Sequence, residues 1–277
     1  MIIGASGQVG GYLYQNLLKW GEEVVGTYYR HPHSDLVALD MTNRQTVREL
    51  IGATQPDVIW IPAAMANVDQ CEQEPDVSYQ QNVVAPRIVA DVAVQEQARV
   101  VFFSTDYVFD GVDGPYGEER PVHPIQVYGQ HKAESEHYLL SQIPHSVIIR
   151  PAWIYSRDET PRNFVYRVVE QLKARQPVKA VTDQFNTPTP SEGLVKIAWQ
   201  AVQDGFEGIV HIAGPERLSR YALTRRIAQA FGYSLNLVEP VQTESFHLPA
   251  ARPLNGGLIT QHARYRMEAG RDFAPVF

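Results

Sequence analysis

Cysteine is almost absent: Cys71 stands alone among 277 residues, which excludes an intrachain disulfide and any zinc site built from cysteines. The nine histidines show no H-E-x-x-H or similar ligand spacing, so no metal centre is expected and they read as surface or hydrogen-bonding residues. Long apolar runs are missing too. None approaches the roughly 20 residues that a bilayer span requires, and the first residues lack the basic n-region of a signal peptide. The expectation is a cytoplasmic chain with no membrane partner. Lysine is scarce, at 5 residues, and acids outnumber bases to give a net charge of −7. That balance argues against a general nucleic-acid binder. The predominance of arginine among the bases suits bidentate contacts to the phosphates of a small ligand.

What is present is an ordinary globular composition, 44% apolar and 20% charged, long enough for a large α/β domain with a smaller lobe. Short continuous apolar runs at Val24-Val25, Val58-Ile59-Trp60-Ile61, Val100-Val101-Phe102-Phe103 and Val147-Ile148-Ile149 suit strands buried on both faces of a parallel sheet. Helical patterns near 8–20, 44–52, 76–97 and 127–141 alternate with them. This alternation predicts a Rossmann-type doubly wound parallel sheet, with a ligand crevice outside the carboxyl ends of its strands. The chemistry-bearing motifs come after Ile3, Ile61, Phe103 and Ile149, all at those ends. After about residue 150 the prolines Pro151, Pro161, Pro177, Pro188 and Pro190 shorten the elements, with helices expected near 162–174, 191–204 and 219–232. The division expected is a dinucleotide-binding domain over 1–150. Residues 151–277 would form mainly a substrate-binding lobe, with segments returning to the main sheet.

Gly4, Gly7 and Gly10 form a G-x-x-G-x-x-G pattern at the first strand-helix junction, in a run that also holds Ser6, Gln8 and Val9. Glycines there allow a tight turn and close approach of a pyrophosphate to a helix N-terminus. So few residues precede Gly4 that the first strand is expected to lack some of its length. An acid at the end of the second strand would bond the ribose hydroxyl of NAD and repel the extra phosphate of NADP. That strand end reads Gly26-Thr27-Tyr28-Tyr29-Arg30-His31, with no acid, so NADP(H) is favoured over NAD(H), with Arg30 as the phosphate partner. Asp40 is placed to cap the helix that begins near Thr42.

Tyr128 and Lys132 lie four residues apart at the start of a helix, hence on one face, where a lysine charge lowers the pKa of a neighbouring phenol. Ketone reduction needs such a proton donor beside the carbonyl. With 14 tyrosines and 5 lysines, chance alone supplies about 0.25 such pairs, so the spacing needs support. Support comes from Ser104-Thr105-Asp106 directly after a buried-strand run, where a hydroxyl could hydrogen-bond the carbonyl and orient the phenol.

The run Ser104-Thr-Asp-Tyr-Val-Phe-Asp-Gly111, then Pro115-Tyr116, Glu118-Glu119, Pro124 and Tyr128-Gly-x-x-Lys132-x-x-x-Glu136, resembles the extended short-chain dehydrogenase/reductases, and within them the dTDP-4-dehydrorhamnose reductase branch. Further matches are Ala63-Ala64, Val68-Asp69-x-x-Glu72-x-x-Pro75, Asn82, Arg150-x-x-Trp153-x-Tyr155 and Asn163-Phe164. Asp183-Gln184-x-x-Thr187-Pro188-Thr189, Gly208-x-x-His211-x-x-Gly214, Ser219-x-Tyr221 and Arg252-Pro253 complete the series. The resemblance implies that Tyr128 is the general acid. It implies that Lys132 lowers the Tyr128 pKa and binds the nicotinamide ribose, and that Thr105, with Ser104 as the alternative, polarises the carbonyl. Asn82 would support the site; Asp40, Met41, Ala63 and Ala64 would line the cofactor; Met65, Asp106 and Trp153 would face the substrate. Met65-Ala66 departs from the Tyr-Thr pair usual in the branch, which weakens the case for one particular sugar. The function implied is NADPH-dependent reduction of a 4-keto-6-deoxy nucleotide-sugar by a monomer or homodimer. The branch also contains the beta regulatory subunit of methionine adenosyltransferase, an NADP-binding partner protein, and reduction of another ketone in specialised metabolism is a further alternative.

Overall fold

The computed structural model describes residues 1–156 and 163–268. Pro161 and the first residue of the helix expected from 162 lie outside them. Its centre is a parallel sheet ordered Gly208–His211, Val147–Arg150, Arg99–Phe103, Val58–Ile61. Ile2 continues it by pairing with Trp60 on one side and Gly26 on the other, and Thr27–Tyr28 pairs in turn with Val37–Ala38. Chain order therefore reverses between Ile2 and Val58–Ile61, which places a topological switch point, and the crevice that goes with it, beside the glycine turn. The first strand, expected to be short, is one bridged residue, yet Ile2 and Ile3 make ladder bonds to Val25 and Trp60 at 2.8 Å each. The second strand is displaced from Val24-Val25 to Thr27–Tyr28: Val25 gives its carbonyl to Ile2, and pairing with the next strand begins only at Thr27.

Alternate strand residues feed two cores, which is why these strands read as continuous apolar runs. Ile59, Ile61, Val100, Phe102 and Ile148 meet the helices Arg44–Thr54 and Ala85–Gln95. Trp60, Val101, Phe103, Val147, Ile149 and Val210 meet Gln8–Lys19 and Ser191–Gln203. The second of these helices and the strand Gly208–His211 come from beyond residue 150. A third core joins Tyr155, Val165, Val168, Leu172, Val178, Leu223, Ile227 and Val238, between the helices Phe164–Lys173 and Arg220–Ala230 and the pair Val178–Val181 with Val238–Val241. Among the described residues no helix is long and apolar enough to cross a membrane.

The helix expected over 76–97 is instead Val68–Gln73, Pro75–Tyr79, a π-helical turn Gln80–Val84 and Ala85–Gln95. Pro86 accounts for the break. It has no N–H to offer Asn82, and its ring would collide with that carbonyl in a regular α-helix, so the turn widens. The released Asn82 carbonyl accepts the Ser135 hydroxyl at 2.6 Å.

Candidate active site

The glycine turn is shaped by close approach. Gly4 has φ +91°, and a Cβ there would sit 2.8 Å from the Ala63 Cβ; at Gly10 it would sit 2.2 Å from the Gly4 carbonyl oxygen. At Gly7 a Cβ would come within 3.3 Å of the Gly4 carbonyl oxygen, still a tight approach. Gly7 precedes the helix Gln8–Lys19 with no side-chain cap, which leaves first-turn N–H groups directed at the crevice. A close-packed glycine turn, an uncapped helix start and the switch point together fit the diphosphate of a dinucleotide. Ser6, Gln8 and Val9 are half-buried around the turn; Val9 leans on the core, and Gln8 donates to the Ser156 hydroxyl at 2.7 Å, tying the turn to the second lobe.

Arg30 is exposed just past Thr27–Tyr28, its guanidinium 5.3 Å from the Tyr29 ring centre. Asp40 accepts from the Thr42 backbone and hydroxyl at 2.9 and 2.7 Å, while the cap of the following helix is Asn43, bonded to the Gln45 and Thr46 N–H groups. Met41 is buried in the core, so only its backbone is left to face a ligand. Ala63, Ala64 and Met65 come after Val58–Ile61 half-buried, and Ala66 is exposed. Asn82, fully buried on the widened turn, clamps this loop. It accepts from the Met65 N–H at 2.9 Å and donates to the Met65 carbonyl at 3.1 Å.

Tyr128, Lys132, Ser135, Glu136 and Leu139 share the buried face of the helix Val127–Gln142. Its start is fixed from elsewhere: the Glu72 carboxylate accepts from the Val127 N–H at 3.0 Å. Gly129 lies so close to the Tyr107 carbonyl that a Cβ would come within 2.0 Å of it. This contact holds Tyr128 against the strand-end loop, where its ring meets Tyr107 edge-on at 6.3 Å and its phenol is influenced by the Thr105 hydroxyl. Thr105 also accepts from the Tyr107 N–H at 3.2 Å and donates to Asp106 at 3.3 Å. The Ser104 hydroxyl is buried without a partner, and of the two hydroxyls it is that of Thr105 that acts on Tyr128. Tyr128 thus lies against Thr105, and Lys132 follows it on the same buried helix face.

Electrostatics differ from the spacing argument. Burial pushes the Tyr128 phenol far above its ordinary value, Cys71 and Asp106 add to this, and the Thr105 hydroxyl opposes it. Lys132 is not among the main influences on it. Its ammonium lies 3.8 Å from the centre of the Phe102 ring, and burial lowers its pKa to about 7 against the opposing charge of Glu136. Desolvation therefore outweighs the four-residue spacing. Glu136 is in turn gripped by Arg150 through two bonds of 2.9 and 2.5 Å, both residues being buried.

The second lobe adds residues that sequence reasoning left without a role. Asn186 donates to Asp106 at 2.6 Å, and burial holds the Asp106 carboxyl up at about 6 against that bond and the one from Thr105. Trp153 adopts φ +37°, a left-handed conformation that is strained for a bulky side chain. The Arg220 guanidinium lies 3.5 Å from its ring centre and 4.4 Å from that of Phe164. Asn186 and Arg220 are unquoted positions inside recognisable motifs, Asp183-Gln184-x-x-Thr187 and Ser219-x-Tyr221. Their only signal was that neighbourhood.

The family model described as "RmlD substrate binding domain" matches residues 1–271. The dTDP-4-dehydrorhamnose reductase of Aggregatibacter actinomycetemcomitans is 33% identical over 270 residues, covering 93% of this chain and 89% of the relative. Among solved structures, a hypothetical dTDP-4-dehydrorhamnose reductase from Sulfolobus tokodaii superposes with TM-score 0.87 at 31% identity, covering 97% of each chain. The dTDP-4-dehydrorhamnose reductase of Bacillus anthracis in complex with NADP does so with TM-score 0.85 at 29% identity, over 93% of this chain and 88% of that one.

Proposed function

The chain belongs to the RmlD substrate-binding-domain family, and on that premise we propose that it reduces the 4-keto group of a 6-deoxy nucleotide-sugar, dTDP-4-dehydrorhamnose or a relative, with NADPH. The observation that carries the proposal is that Tyr128 lies against Thr105 and shares a buried helix face with Lys132, in a chain whose first strand-helix junction is a close-packed glycine turn. Relatives of known structure and near-equal length are reductases, one of them holding NADP, which favours an enzyme over a regulatory subunit. For NADP over NAD the support is Arg30, with no acid at its strand end.

When bound, the nicotinamide supplies the hydride, and the chain's own residues bind, orient and protonate. The uncapped start of Gln8–Lys19 and the Gly4–Gly10 turn hold the diphosphate, with Ser6, Gln8, Ala63 and Ala64 along its path. Tyr128 stays protonated at neutral pH because burial opposes the phenolate, so its proton is available to the carbonyl oxygen as negative charge develops there. Thr105 donates to the same oxygen and keeps the phenol oriented. Lys132, titrating near neutrality, carries the proton that restores the phenol and faces the ribose hydroxyls. Asn82 keeps the Met65 loop in place, and Met65, Asp106 and Trp153 border the sugar. NADPH as the reductant and a lone, unpaired, buried Cys71 support a cytoplasmic setting.

The test is NADPH oxidation with a panel of keto-sugar nucleotides and identification of the product. Oxidation with dTDP-4-dehydrorhamnose or a close relative, giving the 4-hydroxy sugar, is expected. Tight NADPH binding without turnover on any member of the panel, together with a co-purifying protein, would overturn the reading in favour of a regulatory subunit.

A further inference from the structure

The Asn82 amide, which clamps the Met65 loop, is itself held from behind. Of the two hydrogens on its nitrogen, one goes to the Met65 carbonyl and the other to the Ser78 hydroxyl, each at 3.1 Å. Ser78, on the helix Pro75–Tyr79, is fully buried, as is Asn82. Its oxygen lies 2.8 Å from Nδ1 of His131, on the helix Val127–Gln142. A hydroxyl that accepts from Asn82 keeps its own hydrogen for the imidazole, which assigns Nδ1 as acceptor and puts the ring proton on Nε2. Burial favours this neutral ring, lowering the His131 pKa against the charge of Glu134. Tyr79 meets the ring edge-on at 5.4 Å, and Glu134 accepts from Tyr79 at 3.0 Å and from Arg87 at 2.7 Å. One directed chain of hydrogen bonds therefore runs from the helix of Tyr128 and Lys132, through Ser78 and Asn82, to the loop after Val58–Ile61.

We propose that Ser78 and His131 are positioning residues for the substrate side of the site, setting the Asn82 amide and through it the Met65 loop; this rests on the reductase function proposed for the chain. A lone serine hydroxyl can donate or accept, so it would take either end of an amide. With its hydrogen committed to His131 it can only accept, which turns the nitrogen of Asn82 toward it and the oxygen toward the Met65 N–H. The amide is thus set independently of the loop it holds. The two ends of that loop are anchored differently. The Ala63 N–H bonds the Ile3 carbonyl of the sheet at 3.2 Å. Both backbone groups of Met65 depend on Asn82, with the Cys71 thiol adding a bond of 3.1 Å to the carbonyl. Slackening the chain should therefore move Met65, which borders the sugar, and spare the alanines along the cofactor.

The experiment is steady-state NADPH oxidation by the full chain with dTDP-4-dehydrorhamnose, or whichever keto-sugar nucleotide the wild type reduces fastest. NADPH titration and exchange of the Met65 amide hydrogen, followed by NMR, accompany it. Ser78→Ala and His131→Phe should each raise KM for the sugar nucleotide by about 3- to 10-fold, as loss of one buried hydrogen bond implies. In both, kcat and NADPH affinity should be unchanged and the Met65 hydrogen should exchange faster. His131→Asn, whose Oδ1 stands where Nδ1 stood, should keep wild-type KM and exchange. The double variant Ser78→Ala with His131→Phe should be no worse than Ser78→Ala, because both act through one amide. Wild-type KM and Met65 exchange in Ser78→Ala would overturn the proposal and leave the reductase reading standing. So would a larger loss in His131→Asn than in His131→Phe, since a packing role needs the ring and not the acceptor. A wild type that binds NADPH but reduces no keto-sugar nucleotide would overturn both.

Discussion

The two sides of the candidate active site are built by opposite means. On one side, parallel strands of four or five residues end together, and each strand end carries a short chemical motif: the alanines after Ile61, Ser104-Thr105-Asp106 after Phe103. On the other, the strands Ile154–Tyr155, Phe185–Asn186, Thr189–Pro190 and Leu218–Ser219 are two residues long and pair two at a time. There the site residues Trp153, Asn186 and Arg220 arrive from three separate segments and are held by ring stacking and single hydrogen bonds. A long strand positions the residues at its carboxyl end through its own ladder. A two-residue strand has almost no ladder, so side-chain packing must do the placing.

That contrast can be broken by substitution, beginning with the largest effect. Tyr128→Phe should lower kcat by about 10²- to 10⁴-fold, the usual contribution of a positioned general acid, with NADPH affinity nearly unchanged. Steady-state turnover beside a cofactor titration checks this, and undiminished turnover would remove the chemistry from the sheet side. Leu223→Ala, in the core of the second lobe, should cost about 2–5 kcal/mol of lobe stability. It should raise KM for the sugar nucleotide while sparing NADPH binding. If urea titration showed cofactor affinity lost in step with the lobe, the two sides would be one cooperative unit.

The smallest effect tests the seam, where Asp106 of the sheet side is bound by Asn186 of the lobe at 2.6 Å. Burial raises the Asp106 carboxyl from 3.8 to about 6, against its hydrogen bonds to Asn186 and Thr105. A folded value above the unfolded one means that the folded chain binds this proton more tightly. The resulting stability is fully present below about pH 4 and is lost as pH rises through about 6. Asp106→Asn removes that loss, so at pH 7 it should be more stable than the wild type by about 2–3 kcal/mol, with no such difference at pH 4. Urea midpoints at the two pH values measure it, and an advantage independent of pH would show that the carboxyl does not titrate as argued.

Legibility in the sequence has the same divide. The β-α alternation, the strand-end placement of the motifs and the Tyr128–Lys132 pair are readable because their signals are local: apolar runs, glycine spacing, a four-residue helical repeat. The π-helical turn escapes a reading of periodicity although Pro86 announces it four residues after Asn82, and with it goes the reason why Asn82 can serve both Met65 and Ser135. Gly129 is visible inside a motif, but the need for glycine there depends on the Tyr107 carbonyl, a contact between segments twenty-two residues apart. The electrostatics of the pair are the clearest mismatch. Helical spacing says which side chains are neighbours, whereas the pKa of Tyr128 depends on how completely the fold removes water from it, and burial dominates.

By itself the sequence determined a parallel α/β sheet, a glycine turn at its first junction and a tyrosine-lysine pair at its edge, since each arises from the order of nearby residues. Only the tertiary structure decided what surrounds that pair. It set Lys132 over Phe102, locked Glu136 to Arg150, hung Asp106 on Asn186 and framed Arg220 between Trp153 and Phe164. The physical reason is that desolvation and charge act through space. Residues far apart in the chain share one low-dielectric volume only after the core has formed.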